Sequence, residues 1–236
     1  MKILFFLILL SFPLMAQDTL QTAMSAYDSG DYSKSVEIFR QIPLEKRDAA
    51  LEYNMGNALF KEGKLGEAIF YFKKAQREAP RDADIVFNLG FARTKTQDKI
   101  EDLTSKWWRV ISLPEWFNAT EALLILSALS FFFWALVLFS FYRRVQILVT
   151  LRLVTGILFV LVGIIWMKDW LSYCPEGVVI GKEVSIYSAT GKDSIVLFTL
   201  HEGAEFAIRD QVNGDWARIE LSDGKKGWIK KDQIIF

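Results

Sequence analysis

The chain contains the stretch Tyr53-Asn54-Met55-Gly56-Asn57-Ala58-Leu59 and, 34 residues later, the related stretch Phe87-Asn88-Leu89-Gly90-Phe91-Ala92-Arg93. Both have asparagine second, glycine fourth and alanine sixth. A fixed period of a few tens of residues is typical of stacked structural repeats. Small residues at a repeated position let two helices approach closely. The period therefore predicts a domain built from helical hairpins.

The middle unit resembles the tetratricopeptide repeat (TPR), because seven residues fall at that family's spacing: Met55, Gly56, Leu59, Ala68, Phe72, Ala75 and Pro80. An upstream unit aligns with it through Gly30-Asp31-Tyr32 and Phe39, at an offset of 33 residues. A third unit keeps its first helix, but Asp102 and Lys106 stand where Ala68 and Phe72 stand in the middle unit. We predict about two repeats plus a capping helix over residues 17–97.

The first helices of stacked TPR units line a concave groove, which suits an extended peptide or a partner helix. Asn54 and Asn88 are placed to bond a peptide backbone there. In the alternative interpretation, Phe87 and Phe91 pack under the capping helix, since aromatic residues at helical spacing commonly belong to a core. Seven residues are the candidates for partner binding in the groove: Tyr53, Asn57, Phe60, Lys61, Phe87, Phe91 and Lys95.

Two apolar runs, residues 119–142 and 147–167, are each long enough to cross a bilayer as a helix. The link between them, residues 143–146, begins with Arg143 and Arg144 and contains no acidic residue. By the positive-inside rule, we expect this link to be cytoplasmic and both flanking domains to lie on the outer side.

Residues 1–16 have the form of an export signal, with Lys2 before a short apolar run and Ala16 before the expected cleavage point. Such a signal places the repeat domain outside the cytoplasm, in agreement with the charge of the link. Residues 98–118 lie between the repeat domain and the first apolar run, and we interpret them as an amphipathic linker on the membrane surface.

The segment 178–236 consists of short alternating runs separated by turns, and it predicts five strands in a small barrel: Val184–Tyr187, Ile195–Leu200, Glu205–Asp210, Trp216–Leu221 and Lys226–Ile229. It resembles the bacterial SH3 domain through Gly214-Asp215-Trp216 and through Asp223-Gly224-Lys225-Lys226-Gly227-Trp228-Ile229. Tyr187, Trp216 and Trp228 are candidates for partner binding, although core packing is the favoured interpretation of both tryptophans. The family's Arg-x-x-Pro stretch is replaced by Ile186-Tyr187-Ser188-Ala189, which weakens the case for peptidoglycan recognition.

Charge and rare residues exclude several functions. Lys plus Arg and Asp plus Glu number 28 each, so the chain lacks the basic excess that nucleic-acid binding requires. The chain has one cysteine, Cys174, and one histidine, His201. A single cysteine and a single histidine are too few for the usual metal-binding clusters and make a hydrolase triad improbable. We interpret His201 as a solvated surface residue. We expect no catalytic residues, no cofactor and no metal.

The order of signal, TPR units, two-span hairpin and SH3-like barrel resembles the BatE-type membrane proteins of the Bat (aerotolerance) operon. The resemblance implies a bacterial inner-membrane scaffold with periplasmic domains. It also implies von Willebrand A-type membrane proteins and a MoxR-type ATPase as partners, in envelope or oxidative stress. The alternative is a protein that binds peptidoglycan through the barrel. An enzyme, with Glu202 and Glu205 as a carboxylate pair, is the third and least favoured hypothesis.

Overall fold

A computed structural model describes residues 19–100, 116–142, 145–171, 175–191, 194–211 and 214–236. The predicted export signal, most of the linker and Arg143 and Arg144 lie outside the described residues. The chain forms two compact units. One comprises the repeat helices and the C-terminal sheet, and the other comprises the apolar helices. The multidomain fold class is confirmed at this level.

Five helices within residues 19–100 form the repeat domain. Residues 19–28 are helical (α1), and the helices that follow are α2 (Tyr32–Gln41), α3 (Ala49–Glu62), α4 (Leu65–Glu78) and α5 (Ala83–Arg93). A 3-10 turn, Leu44–Lys46, lies between α2 and α3. At the starts of α2, α3 and α5, an aspartate side chain accepts hydrogen bonds from backbone N–H groups of the first turn, which stabilises each helix start. Gly63 ends α3 with φ of 88°, a conformation that favours glycine.

The repeated glycine at position 56 lies where α3 crosses α4. A Cβ atom at this position would lie 2.6 Å from Cδ1 of Phe72, so the glycine is what lets the Phe72 ring pack against α3. Ala58 and Ala68 are completely buried in the same core. Gly90 is the equivalent glycine of α5, and nothing lies within 4 Å of a Cβ placed there. The difference arises because α5 has no second helix of its own at this position among the described residues.

Among the described residues, two helices outside the repeat domain are long and apolar enough to cross a membrane by length and composition. They are α6 (Ala119–Tyr142) and α7 (Gln146–Leu171), and their candidate spans both have a mean hydropathy of 2.5. Hardly any of these residues is buried within the protein, as expected of helices that contact lipid. Gly156 of α7 allows close packing, since a Cβ there would lie 3.2 Å from Phe133 of α6.

The C-terminal segment forms one antiparallel sheet of seven strands in the order β3-β2-β6-β5-β4-β1-β7. Its strands are β1 (Glu176–Val179), β2 (Glu183–Tyr187), β3 (Val196–His201), β4 (Glu205–Gln211), β5 (Trp216–Glu220), β6 (Lys226–Lys230) and β7 (Ile234–Ile235). The prediction of five strands was therefore wrong in number. It missed β1, which contains Gly177, and β7, which has two residues after a 3-10 turn. Neither has the alternating pattern on which strand prediction depends.

The two repeat glycines provide a matched test of the packing. We predict that Gly56→Ala lowers the free energy of unfolding by about 1–3 kcal/mol, because the new methyl group displaces the buried Phe72 ring. Gly90→Ala should instead raise it by roughly 0.5–1 kcal/mol, because alanine favours the helix and meets no neighbour. Urea denaturation of the purified variants measures both. Equal effects at the two positions would contradict this account of Gly56.

Candidate functional site

The predicted groove residues on α3 and α5 lie together on one face of the repeat domain. The rings of Phe60 and Phe91 have centroids 5.7 Å apart, and Phe87 stacks on Phe91 at 6.5 Å with an angle of 8° between the planes. The ammonium group of Lys95 lies 5.0 Å from the centre of the Phe91 ring. Phe87 and Phe91 remain 70% and 45% exposed. This aromatic surface with a flanking cation is available to a partner.

Hydrogen bonds between polar side chains connect α3 and α5 on the same face. The Asn88 amide donates to Oη of Tyr53 at 2.8 Å and to Oδ1 of Asn57 at 2.9 Å. Both amide hydrogens of Asn88 are therefore used within the protein, which leaves only its carbonyl oxygen for a bound backbone. Asn88 can still accept a hydrogen bond from a peptide through this oxygen, so its role towards a bound backbone stays a prediction. The network fixes the distance between α3 and α5.

The groove candidates divide into supporting and exposed residues. Tyr53 and Phe60 pack against the buried helical core, and the Tyr53 ring lies 5.9 Å from that of Phe72. Tyr53 and Phe60 therefore act mainly as packing residues of the helical core. Phe87, Phe91 and the exposed Lys61 and Lys95 form the accessible part of the groove.

The three aromatic candidates of the sheet lie on its outer face. Alternation along the strands turns Ile186, Ala217 and Ile229 into the buried core, so their neighbours Tyr187, Trp216 and Trp228 point the other way and are partly exposed. Tyr187 pairs with Trp228 in the sheet and meets Trp216 edge-to-face at 5.5 Å. The favoured prediction, that both tryptophans belong to the core, was wrong. In the segments Trp216-Ala217 and Gly227-Trp228-Ile229, it is the alanine, the glycine and the isoleucine that face the core of the sheet.

The sheet and the repeat helices contact each other directly, a feature that the sequence did not reveal. Val178 of β1 belongs to the buried core of the helices. Gly66 at the start of α4 lies so close to β1 that a Cβ there would be 2.3 Å from the carbonyl oxygen of Val179. Its N–H donates to Oε1 of Glu202 at 3.0 Å. The C-terminal sheet therefore docks on the α4 side of the repeats.

A cluster of charges surrounds Glu205 at this contact. Arg93 donates to its two carboxylate oxygens at 2.6 and 2.8 Å, and Nζ of Lys73 lies 2.7 Å from it. Lys73 also pairs with Glu176 at 2.8 Å. Burial alone would raise the pKa of Glu205, but the hydrogen bonds and charges of Arg93 and Lys73 outweigh it and lower the pKa to about 2. The carboxylate is thus held ionised between two cations.

His201 lies at the same contact. Its backbone N–H donates to Oδ2 of Asp98 at 2.6 Å, and its ring Nδ1 is 2.9 Å from Oδ1 of the same carboxylate. Gln97 approaches the other ring nitrogen at 3.1 Å. The prediction that His201 is a solvated surface residue was wrong, because the segment after α5 folds back onto the end of β3. Ile100, in that segment, packs against the core of the sheet.

Comparison with known proteins bears on the repeat domain. Residues 49–82, which include α3 and α4, match the family model of the tetratricopeptide repeat. No curated protein is similar enough to the chain to count as a match. The match supports a role in protein–protein interaction, because stacked TPR helices form extended concave binding surfaces. No cluster of three metal-ligating side chains occurs in the part of the chain that the structure describes.

The charge cluster predicts a dependence of stability on pH. Since the pKa of Glu205 is lowered in the folded state, its contribution is present above the ordinary carboxyl pKa and is lost as pH falls from about 4.5 towards 2. We predict that Glu205→Gln destabilises the protein at pH 7 by on the order of 1–3 kcal/mol and flattens the pH dependence over that interval. Denaturant titrations at several pH values measure this.

Glu220→Gln is the matched control on the same sheet. Glu220 pairs with Arg209 and Lys226 at the surface, where solvent screens the charges. Its replacement should change stability far less. Equal losses for the two variants would show that the contact between sheet and helices does not depend on Glu205.

Proposed function

We propose that this chain is a non-enzymatic membrane adaptor whose repeat groove binds a partner protein. The observation that carries the proposal is the exposed Phe87–Phe91 stack beside Lys95, on a domain that matches the TPR. Aromatic side chains on a rigid support are frequent centres of binding energy at protein interfaces. The Asn88 network supports the adaptor role further, because it holds the groove in shape before a partner arrives.

The adaptor is anchored in the bacterial inner membrane through α6 and α7. In this proposal the link at Arg143–Gln146 is cytoplasmic, and the repeat domain and the sheet are periplasmic. The two apolar helices, the basic link and the export signal of residues 1–16 support this orientation. A hairpin of two spans returns the chain to its starting side, so both domains share one compartment.

The C-terminal sheet is an SH3-like domain that provides a second contact. Its antiparallel strands, with a 3-10 turn before the last one, support this assignment. Two weak contacts on one anchored chain reinforce each other through effective concentration. The sequence resemblance to BatE-type proteins suggests the partners, which are von Willebrand A-type membrane proteins working with a MoxR-type ATPase. The complex would then serve aerotolerance, in envelope or oxidative stress.

Capture of partners from membranes tests this function. We predict that the Phe87→Ala, Phe91→Ala double variant recovers at least about tenfold less von Willebrand A-type protein than the unchanged chain, since loss of buried aromatic anchors typically costs 2 kcal/mol or more. The measurement is affinity capture of the tagged chain from gently solubilised membranes, with mass spectrometry. Both side chains are exposed, so the fold should survive.

Leu44→Ala is the control for this capture, because Leu44 is an exposed apolar residue on the turn between α2 and α3. Its replacement should leave recovery unchanged. Undiminished capture by the double variant would rule out the groove as the binding surface. Recovery of no protein at all would argue against the adaptor and favour the second candidate.

The second candidate is a cell-wall-binding protein that acts through the sheet. The observation that favours it is the partly exposed position of Tyr187, Trp216 and Trp228 on one outer face, with the ammonium group of Lys230 5.9 Å from the centre of the Trp216 ring. Aromatic faces and a cation suit the sugars and carboxylates of peptidoglycan.

Co-sedimentation with purified sacculi tests the wall-binding candidate. If the outer aromatic face binds peptidoglycan, Trp216→Ala and Trp228→Ala should each lower the bound fraction several-fold, while the groove variant at Phe87 and Phe91 binds normally. Sedimentation that is absent, or that both tryptophan variants retain, would exclude wall binding through this face.

A further inference from the structure

Each of the two candidate spans contains one charged residue, Glu121 in α6 and Arg152 in α7. Glu121 pairs with Arg81. It also completes the start of α6, where its N–H donates to Oδ1 of Asn118 and its carboxylate accepts the N–H of Asn118. Arg152 has no comparable partner in the part of the chain that the structure describes. Its one polar contact there is long, with Nη1 3.5 Å from Oγ of Ser140.

The hydroxyl of Ser140 does not balance the charge of Arg152. Its own hydrogen is donated to the carbonyl oxygen of Val137 at 2.6 Å, so it offers the guanidinium a lone pair only. A guanidinium has five N–H donors and keeps its charge in proteins. Because an unpaired ionised side chain is costly within a bilayer, such groups pair with an anion or extend to the lipid headgroups. The described hairpin thus leaves Arg152 in need of an anion from outside the chain.

The position of Arg152 in the hairpin shows where that anion must be. Its Cα lies six residues after the start of α7, which is about 9 Å along the helix axis. Ser140 lies two residues before the end of α6, which is about 3 Å along its axis. The contact between them shows that the Arg152 side chain runs towards the turn end of the hairpin. The Cα–Cβ bonds of α7 tilt in the same direction, so the guanidinium is directed to the edge of the apolar region.

We propose that the turn end of the α6–α7 hairpin binds an anionic phospholipid, whose phosphate accepts hydrogen bonds from Arg152. This inference rests on the membrane anchoring proposed above. A planar guanidinium matches a phosphate through two parallel N–H···O bonds. Tyr142 and Gln146 are exposed at the same end of the hairpin and provide uncharged donors for the rest of the headgroup.

The direction of the side chain and the sign of the charge select this ligand. An acidic residue in the transmembrane helix of another protein is the alternative counter-ion, but it would suit a guanidinium directed into the apolar region rather than to its edge. A zwitterionic headgroup carries an ammonium group that Arg152 repels. The site should therefore prefer a headgroup with net negative charge.

Native mass spectrometry of the full-length chain in mild detergent tests the site, with phosphatidylglycerol and phosphatidylethanolamine as the added probes. We expect the unchanged chain to bind phosphatidylglycerol about fivefold or more tightly than phosphatidylethanolamine, because the contact is charge-assisted. Arg152→Gln should remove this preference, and Arg152→Lys should keep part of it, since lysine keeps the charge without the planar fork. Lys34→Gln is the matched control, because it removes one exposed positive charge from α2 and should leave the preference unchanged.

Ser140→Asp tests the site without removing the arginine. The new carboxylate would pair with Arg152 inside the hairpin, so the preference should fall as it does in Arg152→Gln. This variant also covers the case in which Arg152→Gln fails to fold. A preference that persists in folded Arg152→Gln and in Ser140→Asp, or that Lys34→Gln loses equally, would overturn the proposal.

The other sources of an anion give different results. Excess inorganic phosphate should not displace the lipid, because its acyl chains also contact the apolar helices; displacement would assign the site to a free anion instead. A membrane protein that stays bound to the unchanged chain and is lost from Arg152→Gln, without any lipid preference, would assign the counter-ion to an acidic residue of that protein.

Carbonate extraction of membranes separates failure of this site from failure of the proposed anchoring. The unchanged chain and Arg152→Gln should both stay in the membrane pellet, since two apolar helices suffice for insertion. Release of the unchanged chain would refute the anchoring and the site together. Retention of both chains with equal lipid preference would refute the site alone.

Discussion

The ion cluster in which Glu205 lies between Arg93 and Lys73 is the interaction on which the arrangement of the repeat domain and the sheet depends. It joins β4 to α4 and to the end of α5, where Val178 of β1 enters the helical core. Taking a half-buried carboxylate out of water offsets much of the energy that its ion pairs gain, but a misplaced partner leaves an unpaired charge. The cluster therefore specifies one docking position. Gly66 and Gly203 then allow the backbones to come close enough to use it.

Docking of the sheet decides which face of the repeats is left for a partner. The sheet covers the α4 side, through Gly66, Lys73 and the neighbouring Ile69. The α3–α5 face keeps its exposed aromatics Phe87 and Phe91, and the Phe91 ring contacts those of both Phe60 and Phe87. A partner bound in the proposed groove would thus leave the ion cluster intact. The docked sheet and helices hold the proposed groove and the outer face of the sheet at a fixed spacing.

The parts of the fold that the sequence predicted are those with a local physical signal. The repeat shows in the spacing of Gly56, Phe72 and their neighbours because helix packing demands small and large residues at fixed positions. The apolar helices follow from length and hydropathy. Docking of the sheet on the helices was not predictable, since Arg93 and Glu205 are 112 residues apart and each alone resembles a surface charge. The outer position of Trp216 and Trp228 was missed because large aromatics were assigned to the core. Strict alternation with the buried Ala217 and Ile229 predicts that both tryptophans face outward.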